Sequence, residues 1–140
     1  MAESKAVKTG VGTLIKSKNT NRVLLICRQT RSFNGQFCLV GGKVKKNESM
    51  IEGLCREIIE EIGFMPEIVK ITRLSEFMTE DKTFAFLSSL IVVENEFVPL
   101  LNDECSGYAW VDIRNLPKPL HPSLKDIIKD EILVSSIEKF

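Results

Sequence analysis

Apolar and polar positions follow two periods along this chain, and the switches between them set its elements. Residues 6–16, AVKTGVGTLIK, are rich in Val, Thr, Leu and Ile and predict a strand, with Gly10 and Gly12 marking a bulge or a close backbone approach. Beyond the turn SKNTNR, residues 23–27 (VLLIC) form the short unbroken apolar run of a buried central strand, and the two segments predict a hairpin. Arg28 and Arg31 then straddle the polar stretch RQTRSFNG. A short apolar segment, residues 37–40, leads into the adjacent Gly41 and Gly42, which imply unusual backbone angles or a ligand lying close to the main chain.

The period changes near residue 49. Ser49 followed by Glu52 fits a capping box, with Asn47 an equal candidate for the cap. In the helix that follows, Leu54, Ile58, Ile51, Ile62, Cys55 and Ile59 share one arc, Gly63 predicts a left-handed stop, and Phe64 supplies an apolar contact beyond it. Residues 66–78 alternate weakly and predict a strand; after the turn TEDK, residues 83–93 (TFAFLSSLIVV) carry the strongest strand pattern and complete a second hairpin. The acidic loop LLNDECSG precedes a further strand at residues 108–113 (YAWVDI). Three prolines in NLPKPLHPS forbid regular structure, and Leu124, Ile127, Ile128, Ile132 and Leu133 space a single terminal helix over residues 123–137. The order predicts an α/β (α+β) sandwich with a mixed sheet, and 140 residues without an internal repeat predict one domain, 1–140.

Composition narrows the partners. Nineteen basic and nineteen acidic residues cancel, which leaves no basis for bulk electrostatic binding to nucleic acid. Cys27, Cys38, Cys55 and Cys105 show neither C-x-x-C nor zinc spacing and read as reduced thiols. No apolar run reaches the roughly 18 residues of a membrane helix, and MAESKAVKTG lacks the apolar core of a signal peptide. A soluble cytoplasmic protein with no membrane partner is expected.

Against this neutral background the helix ends on a concentration of negative charge. At about 100° per residue, Glu61 lies roughly 40° to one side of Glu57 and Glu60 roughly 60° to the other, so three carboxylates share one narrow face. Like charges at that spacing cost a few tenths of a kcal/mol per pair, and each anion opposes the helix dipole by roughly 0.3–1 kcal/mol. A hard divalent cation with oxygen ligands is the leading candidate to compensate them, against the plainer reading of a solvated acidic face.

Residues 42–64, GKVKKNESMIEGLCREIIEEIGF, resemble the signature of Nudix hydrolases, G-x5-E-x7-R-E-U-x-E-E-x-G-U, where U is a bulky apolar residue. Gly42, Glu48, Arg56, Glu57, Ile58, Glu60, Glu61, Gly63 and Phe64 fill every specified position. Two flanking stretches match less closely. Residues 37–42 resemble the family's W-x-x-P-G-G, with Phe37 in place of Trp and Val40 in place of Pro, and residues 104–110 resemble its E-x5-W segment. The Pro or Tyr that marks some hydrolases of ADP-ribose or of diadenosine polyphosphates is absent from MTEDKTF.

The resemblance implies an α/β/α sandwich that hydrolyses a pyrophosphate bond by attack of water on phosphorus, with Mg2+ or Mn2+ bound. Its small-molecule substrate would be a nucleoside diphosphate-linked compound of nucleotide-sugar, dinucleoside polyphosphate or ADP-ribose type. The alternatives are a pyrophosphohydrolase that cleans normal or damaged (d)NTPs and a non-catalytic nucleotide- or RNA-binding module, the latter disfavoured by the complete set of carboxylates. Glu57, Glu60 and Glu61 are implied as metal ligands, joined by a main-chain carbonyl of Gly41 or Gly42. Arg56 is implied to orient Glu57, against a simple surface pair with Glu60, and Glu48 and Gly63 to serve structurally. Either Glu57 or Glu104 is the base, with Asp103 an understudy to Glu104. Arg28 is a candidate phosphate contact, Lys43, Lys45 and Lys46 are as readily solvated, and His121 reads as a turn residue. Phe84, Phe86, Tyr108 and Trp110 are candidates for base stacking and for strand packing alike. Homodimerisation is left open.

Overall fold

The computed structural model describes residues 8–31 and 34–140. Among them the elements run β1 (Lys8–Ser17), β2 (Val23–Arg28), β3 (Phe37–Cys38), β4 (Val40–Lys43), α1 (Met50–Ile62), β5 (Lys70–Met78), β6 (Phe84–Val93), β7 (Cys105–Val111), α2 (Pro122–Ile128) and α3 (Glu131–Lys139). The strands form one mixed sheet ordered β3-β2-β1-β6-β5, with β4 added to β1 and β7 to β2. β1 and β6 are parallel along their whole length, and the other pairings are antiparallel. Both expected hairpins, β1–β2 and β5–β6, are present.

Successive strand residues point to opposite faces, so each central strand feeds two cores. Val11, Ile15, Leu24, Ile26 and Ile91 meet Leu54, Ile58 and Ile62 of α1. On the other face, Leu14, Leu25, Leu90 and Val92 meet Leu124 and Ile127 of α2 and Val134 and Ile137 of α3. The result is an α/β/α sandwich, and two-sided burial is why VLLIC is apolar without alternation.

β1 changes partners midway. Gly10 to Thr13 pair with β4, whereas Ile15 and Lys16 pair with β2. The sheet therefore forks on that side of β1.

α1 starts where Ser49 Oγ accepts from Glu52 N at 3.1 Å and the Glu52 carboxylate accepts from Ser49 N at 3.0 Å, so Ser49 rather than Asn47 is the cap. It stops at Gly63, whose φ of 88° suits glycine and whose N–H donates to Ile59 O. Phe64 packs edge-on against Phe97.

Several boundaries differ from expectation because distant partners set them. The chain steps from β2 to β1 at Leu39, which splits the apolar segment 37–40 and leaves Gly41 and Gly42 inside β4, opposite Gly12 and Val11. Gly10 and Gly12 mark no bulge, since β1 follows β6 without a register shift. β5 starts at Lys70 rather than at Pro66, which has no N–H for a ladder; the first bond to β6 is Val69 N to Val92 O. β7 starts at Cys105 because that residue still pairs with Arg28 of β2. The single terminal helix is two helices, α3 being restarted by Asp130, whose carboxylate accepts from Leu133 N at 3.2 Å. Buried Lys16 holds the far end of α3, its Nζ donating to the carbonyls of Ile137, Glu138 and Phe140. Residues 6 and 7 of the expected first strand, and residues 32 and 33 of the RQTRSFNG stretch, lie outside the described residues. No helix among the described residues is long and apolar enough to cross a membrane.

A Cβ on Gly41 would fall inside contact distance of the Val11 carbonyl and 2.5 Å from Gly12 Cα, backbone atoms that cannot rotate away. Gly41→Ala is therefore expected to lose about 3 kcal/mol in urea unfolding, at the upper end of overpacking costs. An unchanged midpoint would contradict the tight β1–β4 approach.

Candidate active site

The fork opens into a cleft of about 1030 Å3. Strands β1, β5 and β6 line it, together with Gly41 and Gly42 of β4, Arg28 at the end of β2 and Arg31 beyond it, Glu104 before β7, and one side of α2. α1 packs on the opposite face of the sheet, yet Glu57 reaches this cleft. It does so past Gly42, where a Cβ would sit 2.5 Å from Glu57 Cδ and 2.6–2.7 Å from both carboxylate oxygens. The pair of glycines is a window in β4.

One turn further along α1, Glu61 is 2% exposed. Its Oε1 accepts from Gly41 N at 2.6 Å, and Cys105 Sγ lies 3.7 Å from Oε2. Burial pushes its carboxyl up to about 7, and the Glu57 charge adds to the shift while the Gly41 N–H opposes it. Burial also raises Glu57, with Arg56 opposing and Glu60 and Glu104 reinforcing. Glu60 is exposed, faces Arg56, and is not part of the cleft lining. The three carboxylates expected on one narrow face thus occupy three environments: Glu57 in the cleft, Glu61 buried behind Gly41, and Glu60 outside.

Arg56 ties them together. Its Nε and Nη2 grip the two oxygens of Glu48 at 2.6 and 2.9 Å, and Nη2 also donates to Lys43 O. Nη1 spans Glu57 Oε1 at 2.9 Å and Glu60 Oε2 at 3.2 Å. Both sequence readings of Arg56 therefore coexist, since it holds Glu57 and also makes the surface pair. The guanidinium draws the Glu48 carboxyl down to about 2, helped by the Lys45 N–H.

The remaining candidates separate by position. Glu104 lines the cleft from an exposed turn, with its N–H on Asn102 Oδ1 and its carbonyl accepting from Gln29 N. Asp103 engages Gln29 through its carbonyl and does not line the cleft. Arg28 follows a register shift in the β2–β7 ladder and lines the cleft, its Nε buried with no hydrogen-bond acceptor among the described residues. Lys43 reaches the lining, whereas Lys45 and Lys46 do not. His121 caps α2, its Nδ1 accepting from Ser123 N at 3.2 Å. Trp110 packs edge-on against Phe97 and donates to its carbonyl, Tyr108 lies off the cleft, and Phe84 and Phe86 line it. Phe77 lines it too and was missed, because the only signal for it is its position opposite Phe86 once β5 and β6 are paired.

Six cationic and three anionic side chains line the cleft of a chain whose formal charge is zero, so the local field favours a polyanion. Among the described residues, no three His, Cys, Asp or Glu side chains stand close enough together to hold a metal as they are placed.

The NUDIX domain model matches residues 7–130, and the chain belongs to that family. An ADP-ribose pyrophosphatase of Methanocaldococcus jannaschii is 32% identical over 111 residues, covering 79% of this chain and 65% of the relative. The m7GpppN-mRNA hydrolase of Saccharomyces cerevisiae is 28% identical over 114 residues, covering 80% of this chain and 11% of the relative. The chain thus spans less than two thirds of either curated relative. A MutT NUDIX hydrolase from Burkholderia pseudomallei shares the fold with a TM-score of 0.69 at 24% identity, covering 90% of this chain and 98% of that one. NUDIX hydrolases generally need divalent metal ions.

Without metal, Glu61 holds its proton up to about pH 7 in the fold, against an ordinary value of 4.5 for the unfolded chain. The folded state binds more protons between those values, so stability falls as pH rises through the window, by on the order of 3 kcal/mol in total. Glu61→Gln removes this slope. In EDTA its urea midpoint should exceed the wild type's at pH 8 and match it near pH 4.5, and parallel pH profiles would show that Glu61 titrates normally.

Proposed function

We propose that the chain is a divalent-metal-dependent pyrophosphohydrolase of a nucleoside diphosphate-linked compound, of nucleotide-sugar, dinucleoside polyphosphate or ADP-ribose type. Residues 1–140 act as one NUDIX hydrolase unit. The observation that carries this reading is the passage of Glu57 through the Gly42 window into a cationic cleft, with Glu61 buried just behind it. Similarity to the archaeal ADP-ribose pyrophosphatase supports the same reaction and puts ADP-ribose among the first substrates to try.

The donor set fits a hard cation. Glu61 is a buried carboxylate whose two contacts, a main-chain N–H and a thiol, carry no full charge. Glu57 and Glu61 would hold Mg2+ or Mn2+ together with a main-chain carbonyl of Gly41 or Gly42, and Glu60, which faces Arg56 outside the cleft, would join them only on leaving that pair. When bound, such an ion neutralises phosphate oxygens and lowers the pKa of water.

The chain's own groups supply the rest. Arg56, anchored bidentately on Glu48, keeps Glu57 aimed through the window. Arg28 offers the substrate phosphates a buried Nε that has no acceptor among the described residues. Glu104 takes the proton from the attacking water. Its carboxylate lines the cleft and, among the described residues, is held by no arginine as Glu57 is by Arg56. Thiols at all four cysteines support a cytoplasmic setting.

Incubation with Mg2+ and a panel of nucleotide sugars, ADP-ribose, dinucleoside polyphosphates and nucleoside triphosphates tests the reading through the product pair. Cleavage within the pyrophosphate to give a nucleoside monophosphate is expected. Glu104→Gln should lower kcat by about 10²–10³-fold with KM little changed. Wild-type turnover in that variant removes Glu104 from the reaction, and absence of turnover across the panel points instead to a nucleotide-binding module.

A further inference from the structure

We infer that Phe77, Phe84 and Phe86 form a stacking platform for the heteroaromatic base of the substrate, one that requires a base but leaves its identity largely unread. The inference rests on the pyrophosphohydrolase reading for what is stacked, and on the sheet for where.

Strand register gathers the three rings. Phe86 of β6 lies opposite Gly10 of β1 on one side and Phe77 of β5 on the other, and Phe84 lies opposite Lys8. Phe84 and Phe86 are two apart and so share a face. Beneath them β1 carries glycine: a Cβ on Gly10 would stand 2.8 Å from Phe86 Cδ2 and 3.0 Å from Phe84 Cζ, and one on Gly12 would stand 2.8 Å from Phe86 Cζ. With no side chains there, the rings lie down over the backbone and make an apolar floor rather than standing up as posts.

That floor is left open. Further along the same face, Leu14 and Leu90 are fully buried in the core that α2 and α3 complete, whereas Phe77, next to last in β5, is 48% exposed. An aromatic ring kept out of a core forgoes burial, which a planar ligand stacked on it restores. The platform also adjoins the chemistry. β1 carries Gly10 and Gly12 between β6 and the Gly41–Gly42 window of β4, so the stacking floor and the window are two strand spacings apart, roughly 10 Å. A ribose bridging base and phosphate spans such a gap.

Reading a base needs paired donors and acceptors, the work of Asn, Gln or a carboxylate. The polar neighbours in register with the rings are the hydroxyls of Ser75 and Ser88 and, at the rim, Lys8; among the described residues no Asn or Gln lines the cleft, and its carboxylates, Glu57, Glu104 and Asp126, lie on α1, before β7 and on α2 rather than on the strands that carry the rings. Stacking without such a set accepts any base.

The test uses Phe77→Leu, at an exposed position where folding is tolerant, with Phe86→Leu and Phe77→Trp beside it. A 2-aminopurine riboside diphosphate titrated into wild type should lose fluorescence on stacking. Phe77→Leu should weaken its binding roughly five- to tenfold, and Phe77→Trp should restore it. With adenine, guanine and cytosine substrates, KM should rise by a similar factor in Phe77→Leu, with kcat within about twofold. Unquenched probe, or both Leu variants binding as wild type does, overturns the platform while leaving hydrolysis intact. A KM effect confined to one base overturns base tolerance, as does turnover of ribosyl diphosphate equal to that of nucleotides overturn the need for a base. If the probe is quenched and Phe77→Leu weakens it although no nucleotide is cleaved, the platform stands and the hydrolase reading falls.

Discussion

The contact between the Glu57 carboxylate and the bare Cα of Gly42 joins the two faces of this sheet. α1 belongs to one hydrophobic core and the cleft to the other side, and a continuous strand of ordinary residues would wall them apart. Two adjacent glycines in β4 open the wall. One admits Glu57, and the other lets β4 close on β1 while its N–H meets Glu61. The fork in the sheet, the position of α1 and the direction of its carboxylates are useful together only because those two side chains are missing.

Around that window the electrostatics are arranged at the expense of stability. Glu61 is buried with hydrogen-bond partners that carry no full charge, and its raised pKa expresses the cost of ionising it there. Arg56 compensates the outer carboxylates and does not bond Glu61. A protein selected for stability alone would place an apolar residue at position 61, since burying an ion rarely stabilises a fold. Sites that bind or react commonly retain such unfavourable placements.

Much of this was legible in the amino-acid order because the determinants are local. The capping box at Ser49 and Glu52, the stop at Gly63 and the buried stripe of Leu54, Ile58 and Ile62 depend on neighbours within a turn or two, and most of the signature sits on that one helix, whereas Ile51 and Ile59 of the expected apolar arc stay exposed. What escaped depends on distant partners. Gly41 and Gly42 suggested unusual backbone angles or a nearby ligand, and nothing local reveals that Gly12 and Val11 lie opposite them in a strand pair. Glu57, Glu60 and Glu61 are close in helical projection, but which is buried depends on β4 and Cys105. Phe77 sits in weak alternation and acquires meaning only opposite Phe86, and the terminal helix broke because Asp130 caps better than it continues.

The most direct test of the window is Gly42→Ala. Unlike the alanine at position 41, its Cβ would press on a carboxylate at the end of a flexible side chain rather than on backbone, so the fold should survive. Mn2+ binding followed by electron paramagnetic resonance, alongside thermal unfolding of the metal-free protein, separates the two effects. Near wild-type thermal stability with Mn2+ affinity reduced at least about tenfold is the expected result, in line with the cost of disturbing a ligand's placement. Mn2+ binding as tight as in the wild type would show that Glu57 needs no window to reach the cleft.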